Sequence, residues 1–175
     1  MRRFLSTALL LGALATPAFA ALKPGDAAPD FTVPATLGGN EFIFSLSDAL
    51  KKGPVVLYFF PKAFTKGCTA EAHEFAEATA QFKEAGATLI GMSADDIGTL
   101  HKFSTQECSS KFPVAADPDL KVIKAFDSVM EGRPLSDRVS YVIGQDGKVA
   151  YSYADRNPEK HVQNTLTAVK ALTKK

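Results

Sequence analysis

Runs of consecutive apolar residues mark the predicted strands of this 175-residue chain. Residues 55–60 are all apolar, and residues 88–93 and 139–143 form similar runs. A strand that is apolar at successive positions must be covered on both faces, as in a sheet with helices on either side. These runs therefore predict core strands of a mixed α/β sheet.

Between the strands, apolar residues recur at helical spacing. Ala72, Phe75 and Phe82 predict the apolar face of a helix over residues 68–84, and Gly86 is placed to end it. The charged residues of this segment lie largely off that face: Glu71, Glu74, Glu77 and Lys83. The other predicted elements are short strands at 31–33 and 41–44, a short helix from 45, a helix over 97–107, an extended piece at 112–116, a helix from 117 toward 126, a hairpin of 139–143 and 148–153, and a final helix over 158–172. This order predicts an α/β fold with a central mixed β-sheet flanked by helices.

The chain begins with a pattern typical of a secretory signal peptide. Two arginines precede an apolar stretch over residues 4–15, and an Ala-x-Ala cleavage box ends at Ala20. The stretch is shorter than the ~20 residues that a membrane-spanning helix needs. We therefore expect residues 1–20 to be removed, residues 21–175 to form a single domain, and the protein to be exported to the periplasm. An uncleaved anchor is the alternative.

Charge and composition exclude several classes of function. The formal charge is +1, and it becomes −1 when residues 1–20, which hold two arginines and no acid, are removed. A nearly neutral chain of mixed signs is not expected to bind nucleic acid or a membrane surface. His73, His101 and His161 are scattered and do not pair at ligand spacing, so neither a metal nor another cofactor is expected.

Cys68 is the residue with the most evident chemistry. It lies where the strand at 55–60 gives way, through a short turn, to the helix over 68–84. Free backbone N–H groups and the positive end of the helix dipole point at a side chain in that position. A thiol there is partly converted to thiolate, the form that reacts. The chain has one other cysteine, Cys108, and an oxidising compartment would permit a disulfide between the two.

Several segments around this cysteine resemble the peroxiredoxins. The pattern Pro61-x-x-x-Thr65-x-x-Cys68 after an apolar strand resembles the family signature, and residues 25–31 are similar to its usual opening. Residues 138–144 resemble the strand that carries the family's arginine, and residues 57–62 and 67–71 look like the Q-type, or bacterioferritin-comigratory, subfamily. The resemblance covers nearly all of the predicted domain. It implies a thioredoxin-like fold and the reduction of hydrogen peroxide and organic hydroperoxides by a cysteine thiolate.

The resemblance gives three further residues a role beside Cys68, the expected peroxidatic nucleophile. The Thr65 hydroxyl is expected to donate to the thiolate or to the peroxide, and the alternative is a capping threonine. Arg138, at the start of an apolar strand, is expected to stabilise the thiolate and polarise the peroxide, and the alternative is a surface salt bridge. Pro61 is expected to shape the turn and shield the thiol, and turn formation alone is the alternative. Arg133 is predicted to lie in a loop, away from the site.

Two positions depart from the subfamily pattern. Members often carry the resolving cysteine five residues after the peroxidatic one, where this chain has His73, which we expect on the solvated face of the helix. Lys66 stands where many relatives have proline. Cys108 is therefore the candidate resolving cysteine, which would condense with a sulfenic acid at Cys68. A permanent structural disulfide and a free buried thiol remain as alternatives for Cys108.

Glu71 lies three residues after Cys68, a spacing that suggests a capping box. We interpret it as a residue that organises the turn, with direct chemistry less favoured.

The sequence therefore predicts an exported thiol peroxidase. Its partners would be a peroxide and an external dithiol or small-thiol reductant, and it would be a monomer or homodimer. Two other hypotheses are a thiol–disulfide exchange protein, which normally needs Cys-x-x-Cys where this chain has residues 68–71, and a non-catalytic binding module stapled by a disulfide.

Overall fold

Seven strands form one sheet in the computed structural model, which describes residues 21–173. The strands are β1 (Thr32–Leu37), β2 (Asn40–Ser45), β3 (Val55–Phe59), β4 (Thr88–Ser93), β5 (Val114–Ala116), β6 (Val139–Ile143) and β7 (Val149–Ala154). The helices are α1 (Leu46–Leu50), α2 (Lys66–Glu84), α3 (Ile97–Gln106), α4 (Lys121–Ala125) and α5 (His161–Thr173), and a 3₁₀ turn over Pro158–Lys160 leads into α5. Across the sheet the order is β2-β1-β5-β4-β3-β6-β7.

The mixed character of the sheet arises at its centre. Strand β3 pairs in parallel with β4 on one side and antiparallel with β6 on the other, so that Phe59 is opposite both Met92 and Val139. All residues of β3 and β6 are buried. This confirms the inference that strands apolar at every position are covered on both faces. It also places the start of β6 beside the end of β3, where the predicted nucleophile follows.

Helices cover both faces of the sheet. One core cluster contains Leu46 of α1, Ile123 of α4 and the aromatic side chains of Phe31 and Phe126. The other contains residues of α2, α3 and α5, among them Phe75, Phe103, Leu166 and both cysteines. The second face therefore holds the candidate chemistry between the sheet and three helices.

The predicted order of elements is confirmed, with changes at some boundaries. Strand β1 extends well beyond the predicted residues 31–33 because it pairs with β2 along its length and with β5 at its far end. Helix α2 begins at Lys66, two residues before the predicted start, and it ends as predicted, with Gly86 at a φ of 75° after the C-cap residue Ala85. Arg133 lies in an exposed loop, as predicted.

The predicted cleavage site at Ala20 and the two leading arginines lie outside the described residues. Within residues 21–173, no helix has the length and apolar character that crossing a membrane requires.

Candidate active site

Cys68 lies in the first turn of α2, and only 1% of its surface is exposed. The residue before the helix, Thr65, is extended, and the first helical hydrogen bond runs from the Thr69 amide to the Thr65 carbonyl, at 2.9 Å. The amide groups of residues 66–68 precede that bond, so the positive end of the helix surrounds the sulfur. The position predicted for Cys68 is thus confirmed.

Arg138 contacts the sulfur directly. Its side chain reaches across from the residue before β6, and Nη2 lies 3.5 Å from the Sγ atom of Cys68. A Cβ atom on Gly67 would lie 3.2 Å from Nη2, so the glycine leaves the guanidinium room to approach. Arg138 is 5% exposed, and this burial excludes the alternative of a surface salt bridge. Burial disfavours its charge, but negative charge at Glu71 and Cys68 outweighs this and raises the pKa of Arg138.

Two hydrogen bonds attach the first half of the turn before Cys68 to neighbouring segments. The Ser136 hydroxyl donates to the Phe60 carbonyl at 2.7 Å, and the Ala63 amide donates to Asp95 at 2.8 Å. Directly after Ala63, Phe64 has a φ of 62°, a conformation that bulky residues rarely adopt outside functional sites. Pro61, at the beginning of the turn, is half-buried.

The Thr65 hydroxyl does not contact the sulfur in this structure. It donates to the Lys62 carbonyl at 3.0 Å, and the side chain does not cap the helix although Thr65 is the N-cap residue. The capping role weighed for its side chain is therefore wrong. The threonine closes the turn, and its hydroxyl must leave the Lys62 carbonyl before it can donate elsewhere.

The capping-box interpretation of Glu71 is wrong. Glu71 is wholly buried, and its Oε2 atom accepts a hydrogen bond from Nη1 of Arg138. Since Thr65 is the N-cap residue, a capping box would need its acid at position 68 rather than 71. Residues three apart share a helix face, and the same spacing that suggested a cap therefore places Glu71 beside the sulfur.

A buried histidine, which no pattern in the sequence indicates, completes this group. His161, the first residue of α5, has no exposed surface, and its Nδ1 atom lies 3.8 Å from Oε1 of Glu71. By contrast His73 is exposed and pairs with Glu107 at 2.8 Å, as expected for the solvated face of α2.

Glu71 is the group most sensitive to pH. Burial raises its pKa to about 8, although Arg138 acts in the opposite direction. At neutral pH most of the folded protein therefore carries a protonated Glu71, and the Arg138 charge is left to act on the sulfur. Above that pKa a carboxylate forms and competes with Cys68 for the guanidinium.

We expect Glu71→Gln to remove a fall in reactivity at alkaline pH. The wild-type rate constant for oxidation of Cys68 by peroxide should decline as pH rises through about 8, because ionised Glu71 then neutralises Arg138. Glutamine keeps the shape and carries no charge, so its profile should stay level up to pH ~9.5, with a rate at pH 7 within about threefold of wild type. Stopped-flow measurement of the oxidation rate tests this.

The same ionisation acts on stability. The folded pKa of about 8 lies above the ordinary 4.5, so the folded state binds the proton more tightly than the unfolded state. Below pH ~4.5 both states are protonated, and stability is lost as pH rises from there through about 8. The loss should be absent in Glu71→Gln and retained in the control Glu77→Gln, which alters an exposed acid of the same helix. If the stability of Glu71→Gln fell with pH as much as that of the wild type, Glu71 would not be the group responsible for the loss.

Cys108 lies just after α3 and, like Cys68, is a free thiol. It has no exposed surface, and burial raises its pKa, so it stays protonated at physiological pH. The two residues that follow it, Ser109 and Ser110, are exposed and have φ values of 51° and 55°. Successive non-glycine residues in this conformation are strained.

Tyr58 links the surroundings of the two cysteines. Burial raises the pKa of its hydroxyl, and negative charge at Cys108, Glu71 or Cys68 would raise it further. Its ring stacks on Phe75 of α2, with centroids 4.2 Å apart, and packs against Phe112, which follows Cys108. Both thiols therefore belong to one packed region on the α2 face of the sheet.

Comparison with known proteins agrees with this geometry. The AhpC/TSA family model matches residues 24–152. The chain is 36% identical over 153 residues to the chloroplastic peroxiredoxin Q of Oryza sativa subsp. japonica, covering 86% of this chain and 68% of the relative. It is also 36% identical to the chloroplastic peroxiredoxin Q of Suaeda salsa, covering 87% of this chain and 70% of that relative.

Solved structures show the same fold. The crystal structure of peroxidoxin BcpB from Mycobacterium tuberculosis matches with a TM-score of 0.77 and 30% identity, covering 86% of this chain and 98% of that chain. A reduced 2-Cys peroxiredoxin from Plasmodium vivax has the same TM-score at 23% identity, over 86% of this chain and 82% of that chain, and shows the likeness of fold alone. These matches confirm the thioredoxin-like fold that the resemblance implies. With its signature cysteine in the first turn of a helix and an arginine against the sulfur, the chain belongs to the AhpC/TSA family as a Q-type peroxiredoxin.

Proposed function

We propose that Cys68 carries out the peroxide step of this thiol-dependent peroxidase. Its thiolate attacks the terminal oxygen of a hydroperoxide, an S–O bond forms, and the O–O bond breaks. The departing hydroxide or alkoxide takes a proton to leave as water or alcohol, and Cys68 becomes a sulfenic acid. The observation that carries this proposal is the contact of Arg138 with the sulfur at 3.5 Å, in a site from which water is largely excluded.

The donors around the sulfur suit the charge that develops in this step. Thiolate formation alone raises reactivity by a limited factor, so fixed donors must also stabilise the departing oxygen. Arg138 supplies a charged donor and the first amides of α2 supply neutral ones, all held rigidly by buried elements. We assign Thr65 a donor role toward the peroxide, which requires its hydroxyl to leave the Lys62 carbonyl, and Pro61 a shielding role at the mouth of the turn.

We further propose that Cys108 resolves the sulfenic acid. Its thiol attacks the sulfur of Cys68, a disulfide forms, and water leaves. Both sulfurs are buried, so the first turn of α2 and the segment after Cys108 must open locally before they meet. The strained pair Ser109 and Ser110 makes that second segment a favourable place to open. Both thiols are free in the structure, as a catalytic cycle of this kind requires at its start.

Cys108→Ser is expected to allow one turnover and then stall. With a dithiol protein that reduces only disulfides, the variant should consume one equivalent of peroxide and accumulate sulfenic acid at Cys68, because no second thiol is available. Mass spectrometry after trapping with dimedone measures the acid, and a thiol count before and after one equivalent of peroxide measures the disulfide of the wild type.

Cys108→Ala serves as a second variant, since a buried serine hydroxyl without a partner destabilises the fold by about 1–3 kcal/mol. Continued turnover of either variant with the disulfide-specific reductant would remove Cys108 from the mechanism. A structural disulfide, the alternative weighed for Cys108, predicts instead that both thiols stay oxidised in mild reductant.

The family implies a peroxide substrate and a thiol reductant, and it favours the peroxidase over an exchange protein or a binding module. We propose that the reductant is an external dithiol or small thiol outside the cytoplasm and that the enzyme works as a monomer or homodimer. The proposal of export rests on the leader pattern of residues 1–20. N-terminal sequencing of the purified protein tests it, because cleavage of the leader would leave Ala21 as the first residue.

A further inference from the structure

His161 is a buried polar residue that the peroxide step does not use. It begins α5, and its ring lies between Ser140 of β6, the chain after β7 and Glu71 of α2. The ring also meets Tyr153 of β7 edge to face, with centroids 4.8 Å apart. A buried imidazole in contact with three elements beside an active site calls for an explanation.

Its hydrogen bonds fix one tautomer. The Nε2 atom lies 2.8 Å from the Asp155 carbonyl oxygen, which can only accept, so Nε2 carries the hydrogen and donates. The Nδ1 atom then has a lone pair and accepts from the Ser140 hydroxyl at 2.8 Å. Burial, and to a smaller degree the charge of Arg138, lower the pKa of His161 to about 4, although the Asp155 carbonyl and side chain act in the opposite direction. The ring is therefore neutral at physiological pH.

The Asp155 carbonyl leads from His161 to Arg138. The next carbonyl along the chain, that of Arg156, accepts a hydrogen bond from Nε of Arg138 at 3.0 Å. The Asp155 amide in turn donates to the Arg138 carbonyl at 3.3 Å. His161 therefore holds the segment of Asp155 and Arg156, and this segment positions the guanidinium of Arg138 next to Cys68.

A second path runs through Glu71. One carboxyl oxygen of Glu71 binds Arg138, while the other, Oε1, is buried, has no hydrogen-bond partner among residues 21–173, and lies 3.8 Å from Nδ1 of His161. The lone pair of Nδ1 is already taken by the Ser140 hydroxyl, so the ring restricts the Glu71 carboxyl by packing against it and not by a hydrogen bond. The charged and titratable groups facing His161 are thus Glu71 from α2, Arg138 beside β6, Tyr153 from β7 and the Asp155 segment.

We infer that His161 is a positioning residue for the peroxidase reaction: it fixes the two groups that Arg138 binds, the Arg156 carbonyl and the Glu71 carboxyl, and so holds the guanidinium against Cys68. The inference rests on the proposed role of Cys68 and Arg138. A displacement of ~1 Å in a group that stabilises a transition state costs as much as a hundredfold in rate.

Two amide variants separate the functions of the two ring nitrogens. Glutamine at 161 can place its amide nitrogen where Nε2 lies and keep the bond to the Asp155 carbonyl, whereas asparagine reaches only the Nδ1 position. We expect His161→Gln to keep the rate of Cys68 oxidation by hydrogen peroxide within about threefold, and His161→Asn to lower it by about ten- to a hundredfold. The control is His101→Asn, since His101 lies on α3 and pairs with Glu41 of β2, away from the site.

Alkylation of Cys68 by iodoacetamide distinguishes positioning from general damage. This reaction needs only an accessible thiolate and should change less than about threefold in His161→Asn, whereas the peroxide reaction also needs a correctly placed Arg138. A peroxide rate in His161→Asn within threefold of wild type would overturn the inference, as would equal losses in both reactions. If His161→Asn does not fold, His161→Phe, which fills the ring's volume without polar atoms, replaces it with the same expected loss. The proposed function is tested separately, and it fails if Cys68→Ser still consumes peroxide.

Discussion

Cys68→Ser is expected to abolish peroxide consumption, with a fall of at least about a thousandfold, because the hydroxyl cannot form the anionic nucleophile at neutral pH. The substitution changes one atom, and the new hydroxyl has a hydrogen-bond partner in Arg138, so the fold should be retained. Peroxide loss followed with a coupled reductant, together with thermal unfolding, gives both quantities.

The control for this experiment is the other cysteine. In Cys68→Ser the remaining thiol at Cys108 is buried and protonated, and it should not react with peroxide. In Cys108→Ala the reactive thiol is kept, and the first equivalent of peroxide should be consumed at nearly the wild-type rate. Consumption by Cys68→Ser at more than a hundredth of the wild-type rate would place the nucleophile elsewhere.

Arg138→Lys is expected to lower the rate of Cys68 oxidation by about a hundredfold, the usual effect of losing one hydrogen-bond donor to a transition state. Lysine keeps the charge but cannot make the three contacts of the guanidinium, which reaches Cys68, Glu71 and the Arg156 carbonyl together. Arg138→Met, which also removes the charge, should lose more. Stopped-flow oxidation at pH 7 measures both variants.

The stability of these variants separates two functions of the arginine. Removing one member of a buried ion pair costs about 3–5 kcal/mol when the remaining group stays charged. Glu71 is mostly protonated at neutral pH, so we expect a smaller loss for Arg138→Met at pH 7 than at pH 9. Arg133→Met, in the exposed loop, is the matched control and should change neither rate nor stability. Oxidation of Cys68 at the wild-type rate in Arg138→Met would refute the proposed mechanism.

Local patterns in the sequence were sufficient for the order of the elements. Runs of apolar residues predicted β3, β4 and β6, and helical spacing predicted α2, since both depend on burial of side chains along one segment. The link from β3 to α2 also determines that Cys68 lies at a helix N-terminus, because the thiol follows the strand by a short turn. Each of these patterns lies within one segment of the chain, and the longest segment, α2, has 19 residues.

The side chains around the sulfur could be predicted only in part from such local patterns. Arg138 could be anticipated, because a charged residue at the head of an apolar strand needs a buried partner. Glu71 was interpreted as a capping residue, because its spacing near a helix start suggests a capping box and takes no account of an arginine 67 residues away. The Thr65 hydroxyl was expected to donate to the thiolate or to the peroxide, and in the structure, which holds no peroxide, it donates to the Lys62 carbonyl.

Patterns within single segments predict the strands, the helices and the position of the reactive thiol, because each depends on neighbours along the chain. Tertiary packing buries Glu71, brings Arg138 to the sulfur and places His161 behind both. Those contacts join α2, β6 and α5, and they exist because antiparallel pairing of β6 with β3 brings Arg138 to the end of the strand that Cys68 follows. The physical reason is that burial of a charge depends on the partner that packing supplies, and spacing along one segment carries no information about that partner.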